Sequence, residues 1–268
     1  AIVALLATLA AFVYLASEAR ITERYTLPSS IMRPAKGPQA VRRGAHLAMI
    51  YGCRDCHTAP AGQAFTGNML HVSPGLTLAA PNLRRFLKRR GPGLFDIALR
   101  RALTPNAQAI WDMPSNAYVY MSDSDIEALL AYFGSLPVIG PAPSGRRFSF
   151  RARLAVLAGT LRPANPYGLG RRGPREVGPA YNGGRYLAMM SCSGCHGAYL
   201  DGKPGGAPDL RVISVYDRAQ FFALLRQGTV PAGRYAPVMA KLAERRFRAF
   251  KDYEINAIYD YLTARAQP

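Results

Sequence analysis

Acidic side chains are scarce in this chain. It has 16 Asp and Glu against 34 Lys and Arg in 268 residues, a formal net charge of +18. Such an excess of cations points to an acidic partner or an anionic lipid surface. No nucleic-acid recognition motif accompanies the charge, which argues against a nucleic-acid partner. The basic residues cluster at Arg84, Arg85, Lys88, Arg89 and Arg90; at Arg146, Arg147, Arg151 and Arg153; at Arg171, Arg172 and Arg175; and at Arg245, Arg246 and Arg248. Histidine is scarcer still, with four residues. Cysteine is equally rare, and all four cysteines fall in two copies of one short pattern, so none is left for a structural disulfide. The apolar fraction, 49%, excludes a disordered tail. The 21 prolines and 25 glycines imply many turns.

Long apolar runs are also few. One opens the chain, AIVALLATLAAFVYLAS, and ends at Glu18. As a helix, 17 uncharged residues span roughly 26 Å, slightly short of a bilayer's hydrocarbon core. We expect residues 1–20 to be an uncleaved transmembrane anchor; a cleaved signal peptide is the rival reading.

The two cysteine patterns are Cys53-Arg54-Asp55-Cys56-His57 and Cys192-Ser193-Gly194-Cys195-His196. Both are C-x-x-C-H, the signature of c-type haem attachment. Two thiols three residues apart on a helix lie along one edge of a porphyrin and add across its two vinyl groups. The histidine that follows presents its imidazole to the iron, and its second ring nitrogen needs an acceptor to fix the ring. A four-thiolate zinc site, or a pair of redox C-x-x-C motifs, would not need a histidine after each pair. The expected cofactors are therefore two covalently bound haem c groups, with His57 and His196 as iron ligands.

The surroundings of the motifs repeat. Gly44-Ala45-His46-Leu47-Ala48-Met49-Ile50 precedes the first, and Gly184-Arg185-Tyr186-Leu187-Ala188-Met189-Met190 precedes the second. Ala80-Pro81-Asn82-Leu83 and Ala207-Pro208-Asp209-Leu210 follow. Each half then closes with an amphipathic helix. One starts at Ser122, a cap residue with Asp125 three positions on, and places Leu129, Tyr132 and Phe133 on one face. The other follows Lys251 and places Ile255, Ile258, Tyr259 and Leu262 on one face. The same sequence of features in the same order describes one domain used twice.

These motifs resemble the class I cytochrome c family over about residues 44–137 and 183–266. The resemblance implies a mainly α fold: an N-terminal transmembrane helix followed by two tandem class I cytochrome c domains. It also implies a loop proline whose carbonyl accepts a hydrogen bond from the iron-ligating histidine. For His196 that proline is Pro208; for His57 it is Pro81, with Pro74 the alternative. The sixth ligand in such carriers is usually methionine, which raises the reduction potential. In the first half Met69, Met113 and Met121 are candidates. Trp111-Asp112-Met113-Pro114, followed by Tyr118 and Ser122-Asp123, resembles the family's Met-Pro ligand loop, so Met113 is preferred. In the second half Met239 is the candidate. Met69, Met121, Met49, Met189 and Met190 read as core filler, and His46 and His71 as surface or core residues.

The expected layout is an anchor at 1–20, a linker at 21–43, haem domains at 44–137 and 183–268, and a Pro/Gly/Arg-rich linker at 138–182 with a short helix near Arg151–Ala158. Phe65-Thr66-Gly67 and Gly184-Arg185-Tyr186-Leu187 are similar to features of the cytochrome subunits of bacterial membrane-bound dehydrogenases that oxidise alcohols, aldehydes or sugars. That family usually has three haem domains and this chain has two motifs. The resemblance implies a one-electron relay and not an enzyme, with membrane redox-complex subunits and an acidic docking protein as partners. It implies attachment to the bacterial inner membrane with the haem domains on the periplasmic side. Respiratory and photosynthetic assemblies fit the haem count as well. The alternative is a di-haem enzyme such as a peroxidase, with one open iron.

Overall fold

The computed structural model describes residues 1–164, 173–203, 206–231 and 234–267. Pro166, Arg171 and Arg172 lie outside the described residues. The chain is mainly helical. It divides into two compact units, Ala1–Gly44 with Cys56–Gly168, and Ala45–Asp55 with Leu169–Pro268. The boundary runs through the first C-x-x-C-H motif, between Asp55 and Cys56.

The chain opens with α1 (Ile2–Ile21), an apolar helix and, among the described residues, the one long and apolar enough to cross a membrane. Then come α2 (Pro38–Ile50) and the short α3 (Cys53–His57). A hairpin follows, β1 (Asn68–Ser73) antiparallel to β2 (Leu76–Ala80). Next are α4 (Leu83–Arg101), broken at Gly91 with Pro92 opening its second part, α5 (Ser115–Tyr118) and α6 (Asp123–Ser135). The segment read as linker adds a third strand, β3 (Arg146–Phe148), to the free edge of β2, and then α7 (Phe150–Leu157). The helix was expected; the sheet was not.

The core of this first unit forms around α6. Ile126, Leu129, Leu130 and Phe133 are buried, and Phe65 meets Phe133 edge to face at 5.1 Å. Ser122 caps α6 by accepting the Asp125 amide at 3.2 Å. The Asp125 carboxylate is buried against the guanidinium of Arg43 at 3.0 Å.

The second unit contains α8 (Asn182–His196), a 3-10 segment at Leu210–Val215, α9 (Arg218–Gln227), the two-residue strands β4 (Thr229–Val230) and β5 (Arg234–Tyr235), α10 (Pro237–Arg245) and α11 (Asp252–Ala266). Ile255, Ile258 and Leu262 of α11 are buried as their spacing requires, together with Ala188, Met189 and Met190 of α8. Tyr261, not Tyr259, is the aromatic that α11 buries completely.

Glycine does the same work in both units. Gly44 and Gly184, which open the two repeated stretches, each sit inside a helix, where α2 meets α6 and where α8 meets α11. A Cβ on Gly44 would overlap the carbonyl oxygen of Ala128, and one on Gly184 that of Ala257. Only glycine lets these backbones touch.

Candidate haem-attachment sites

The helix that carries each motif differs by one residue. Gly184 and Cys192 are eight positions apart, and α8 runs unbroken through Cys192, Cys195 and His196. Gly44 and Cys53 are nine apart. The extra residue is absorbed at Gly52, whose φ of +77° ends α2 before α3 begins at Cys53. The result at the far end is the same: two cysteines and a histidine on consecutive turns of a helix.

Each histidine is oriented by a proline carbonyl. His57 Nδ1 lies 2.8 Å from the Pro81 oxygen. His196 Nδ1 lies 2.7 Å from the Pro208 oxygen. A carbonyl only accepts, so Nδ1 carries the proton in both rings and Nε2 keeps its lone pair. Burial pushes both imidazoles below the usual histidine range, against the raising effect of the carbonyl bond. Neutral imidazole with a bare Nε2 is the form that ligates iron. Pro81, and not Pro74 in the β1–β2 turn, is the partner of His57.

The residue after each proline holds that carbonyl in place. Asn82 is buried and caps α4: its Oδ1 accepts from the Arg85 amide at 3.0 Å, and its Nδ2 donates to the Ile139 and Pro141 carbonyls at 2.8 and 3.0 Å. Asp209 caps the 3-10 segment through the Arg211 amide at 2.8 Å. It also takes the Arg211 guanidinium at 2.7 Å and Arg265 at 3.4 Å. Burial acts to raise the Asp209 carboxyl, but the bonds from Arg211 and Arg265 outweigh it and hold the group below the usual carboxylate range. Both residues stood in the repeated Ala-Pro-Asx-Leu string, yet the sequence reading assigned them no role. The signal was the side-chain type that favours helix caps, directly after proline.

Cys53, Cys56 and Cys192 are half-buried and Cys195 is exposed. Burial pushes the Cys192 thiol up to about 12, against the opposing pull of Arg246, so it stays protonated near neutral pH. A protonated Cys192 thiol beside the neutral His196 imidazole suits thioether attachment of a porphyrin. Among the described residues, no group of three or more His, Cys, Asp or Glu could hold a bare metal ion. The Trp111 indole nitrogen, two positions before Met113, is buried with no acceptor among the described residues. The donor set fits a haem bearing its own acceptor groups.

Met113 lies in the loop before α5, and Met239 in the first turn of α10, opened by Pro237; both are partly buried. Of the methionines read as filler, Met121, Met189 and Met190 are buried. Met69 is not: it is 40% exposed, because β1 alternates its side chains and Met69 falls on the outer face. His71, also on β1, pairs with the Thr77 hydroxyl at 3.2 Å. In the second unit His46 Nε2 sits 2.8 Å from a carboxylate oxygen of buried Glu254, whose other oxygen accepts the Lys251 amide. Neither histidine is placed as an iron ligand.

Several cations counted in the basic clusters face inward. Arg84 is buried and donates to the Pro137 and Ala64 carbonyls, the former at 3.0 Å. Arg246 pairs with Asp55 at 2.6 Å within the second unit. Lys88, Arg89, Arg90, Arg147 and Arg151 are exposed.

The two helix-borne C-x-x-C-H sites, each with its histidine held by a proline carbonyl, resemble the haem-attachment sites of c-type cytochromes. The comparisons agree. The chain is 28% identical over 269 residues to the fructose dehydrogenase cytochrome subunit of Gluconobacter japonicus, covering 88% of this chain and 53% of that protein. It is 29% identical over 173 residues to the gluconate 2-dehydrogenase cytochrome c subunit of Pantoea cypripedii, covering 58% of this chain and 37% of the relative. It is 32% identical over 108 residues to the cytochrome c subunit of the quinone alcohol dehydrogenase of Komagataeibacter europaeus, covering 38% and 23%. The chain thus spans about half the length of the first relative and less of the others. No protein-family model matches it. The resemblance to cytochrome c subunits of dehydrogenases, drawn first from the motifs, is borne out by these relatives.

Proposed function

We propose that this chain is a membrane-anchored di-haem cytochrome c that relays single electrons inside a dehydrogenase complex. Its haem domains are residues 44–137 and 183–268, joined by 138–182 and held on the periplasmic side of the inner membrane by α1. The observation that carries the reading is the pair of Nδ1–H to proline-carbonyl bonds, which leaves one imidazole Nε2 free beside each cysteine pair.

When bound, a haem supplies a one-electron ferrous–ferric couple. The chain's own residues do the rest. Cys53 and Cys56, and Cys192 and Cys195, would bind the two porphyrins. His57 and His196 would supply one ligand to each iron, and Met113 and Met239 the second. Asn82 and Asp209 lock the prolines that fix the imidazoles. With both ligands supplied by the chain, each iron would have no site left for a substrate, as a relay requires. The exposed cations give an acidic partner a docking surface. The dehydrogenase setting is supported by the names of the relatives.

Intact mass and a pyridine haemochrome assay count the haems, and the absorption spectrum of the native ferric protein reads their spin state and ligation. Two haems per chain and two low-spin, methionine-ligated spectra are the expected result. A high-spin ferric centre would favour the di-haem peroxidase reading, and zinc or bare thiols would end both.

A further inference from the structure

We infer that α7 is a second membrane contact, its outer face seated in the anionic headgroup layer of the bilayer that holds α1. This rests on the anchor reading of α1 and adds to it where the first unit meets the lipid.

α7 is tied to the end of α1. On α1 the buried residues are Val13, Ser17 and Ile21, successive turns of one face. Arg153 of α7 lies 4.0 Å above the Tyr14 ring, donates to Ser17 Oγ at 2.9 Å, and pairs with Glu18 at 2.8 Å. In return Arg20 of α1 donates to the carbonyls of Leu157 and Val156 at 2.9 and 3.3 Å, at the C-terminal end of α7, where a cation suits the helix dipole. Val156 and Ile21 share a buried cluster with Trp111.

The outer face of α7 is wrong for water. Ala152 and Val156 are buried. A surface helix then carries polar residues on the opposite side. Here that side carries Phe150, Leu154 and Leu157 at i, i+4 and i+7, with Phe150 52% and Leu154 44% exposed. Arg147, Arg151 and Arg162, all exposed, flank this stripe. Bulky apolar groups between arginines suit the boundary between acyl chains and headgroups, where guanidinium groups meet phosphates.

The level is set by α1. Its lipid-type surface continues through Phe12, 64% exposed, to Leu15, 68% exposed. Leu15 lies between Tyr14 and Ser17, the residues that Arg153 grips. A bilayer that covers Leu15 therefore reaches α7.

The test uses the full haem-loaded chain in vesicles of phosphatidylcholine and phosphatidylglycerol. Spin labels are placed on Leu154→Cys, Leu9→Cys and Ser124→Cys, one at a time, the motif cysteines being blocked as thioethers. Power saturation compares access by oxygen with access by a nickel chelate. We expect Leu9 deep in lipid, Ser124 in water, and Leu154 shallow but several-fold richer in oxygen over nickel than Ser124. Leu154 as open to nickel as Ser124, with Leu9 in lipid, overturns the inference and leaves the anchor intact. Leu154 shielded from both reagents means that protein covers the face, and overturns it too. Leu9 in water overturns the anchor reading and this inference with it. Arg147→Glu with Arg151→Glu should move the Leu154 label toward water when phosphatidylglycerol is present. No movement overturns the anionic-headgroup assignment.

Discussion

Two carbonyl oxygens, those of Pro81 and Pro208, decide which nitrogen of each histidine is available. The residue after each one makes that possible, and Asp209 is the more testable. Its folded carboxyl is held below the usual range, while the unfolded group titrates near about 3.9. Its stabilising effect is therefore present in full above that value and lost as pH falls through the lower, folded one. Asp209→Asn should cost about 1–2 kcal/mol at neutral pH. The difference from the parent chain should shrink below about pH 4 in denaturant melts run across pH. Methionine ligation is tested at the same scale. Met113→His or Met239→His should keep a low-spin spectrum and lower one of two redox-titration midpoints by on the order of 0.1 V, within the ~0.8 V that axial ligands command. The cysteines and histidines were legible in the sequence because attachment chemistry fixes their spacing. The roles of Asn82 and Asp209 were not, since a cap is defined by which amide stands above it, and that depends on where α4 and the 3-10 segment begin.

At the scale of elements, both units depend on a glycine crossing. Gly184→Ala should cost about 3 kcal/mol, the upper part of the overpacking range, because the obstacle is the rigid Ala257 carbonyl and not a side chain that can turn away. Thermal melts read by far-ultraviolet circular dichroism would show it, and Gly44→Ala should behave alike in the first unit. Ser122→Ala should cost about 1 kcal/mol by removing the cap of α6. The helix before each motif and the closing helix of each half could be read from apolar spacing, whereas α4, α9 and α10 were not foreseen. The three-stranded sheet could not: β3 is three residues long, and it pairs with β2 from far along the chain. So short a strand carries no periodicity of its own.

Over the whole molecule, charge and the apolar helix set how the chain meets its surroundings. Reduction by a physiological donor should slow roughly tenfold or more between low and high salt if an acidic partner docks on the exposed cations, as stopped-flow traces would report. The effect belongs to the exposed residues around Lys88, Arg89 and Arg90, because Arg84, Arg153 and Arg246 are already engaged inside their own units. By itself, the amino-acid order determined the haem chemistry, the internal repeat and the apolar first helix, because bonds, spacings and long runs are local properties of a chain. Only the tertiary structure decided which arginines face solvent, that Pro81 and not Pro74 meets His57, and that α7 packs on the end of α1. Those outcomes depend on distances between residues far apart in sequence, and no local pattern encodes them.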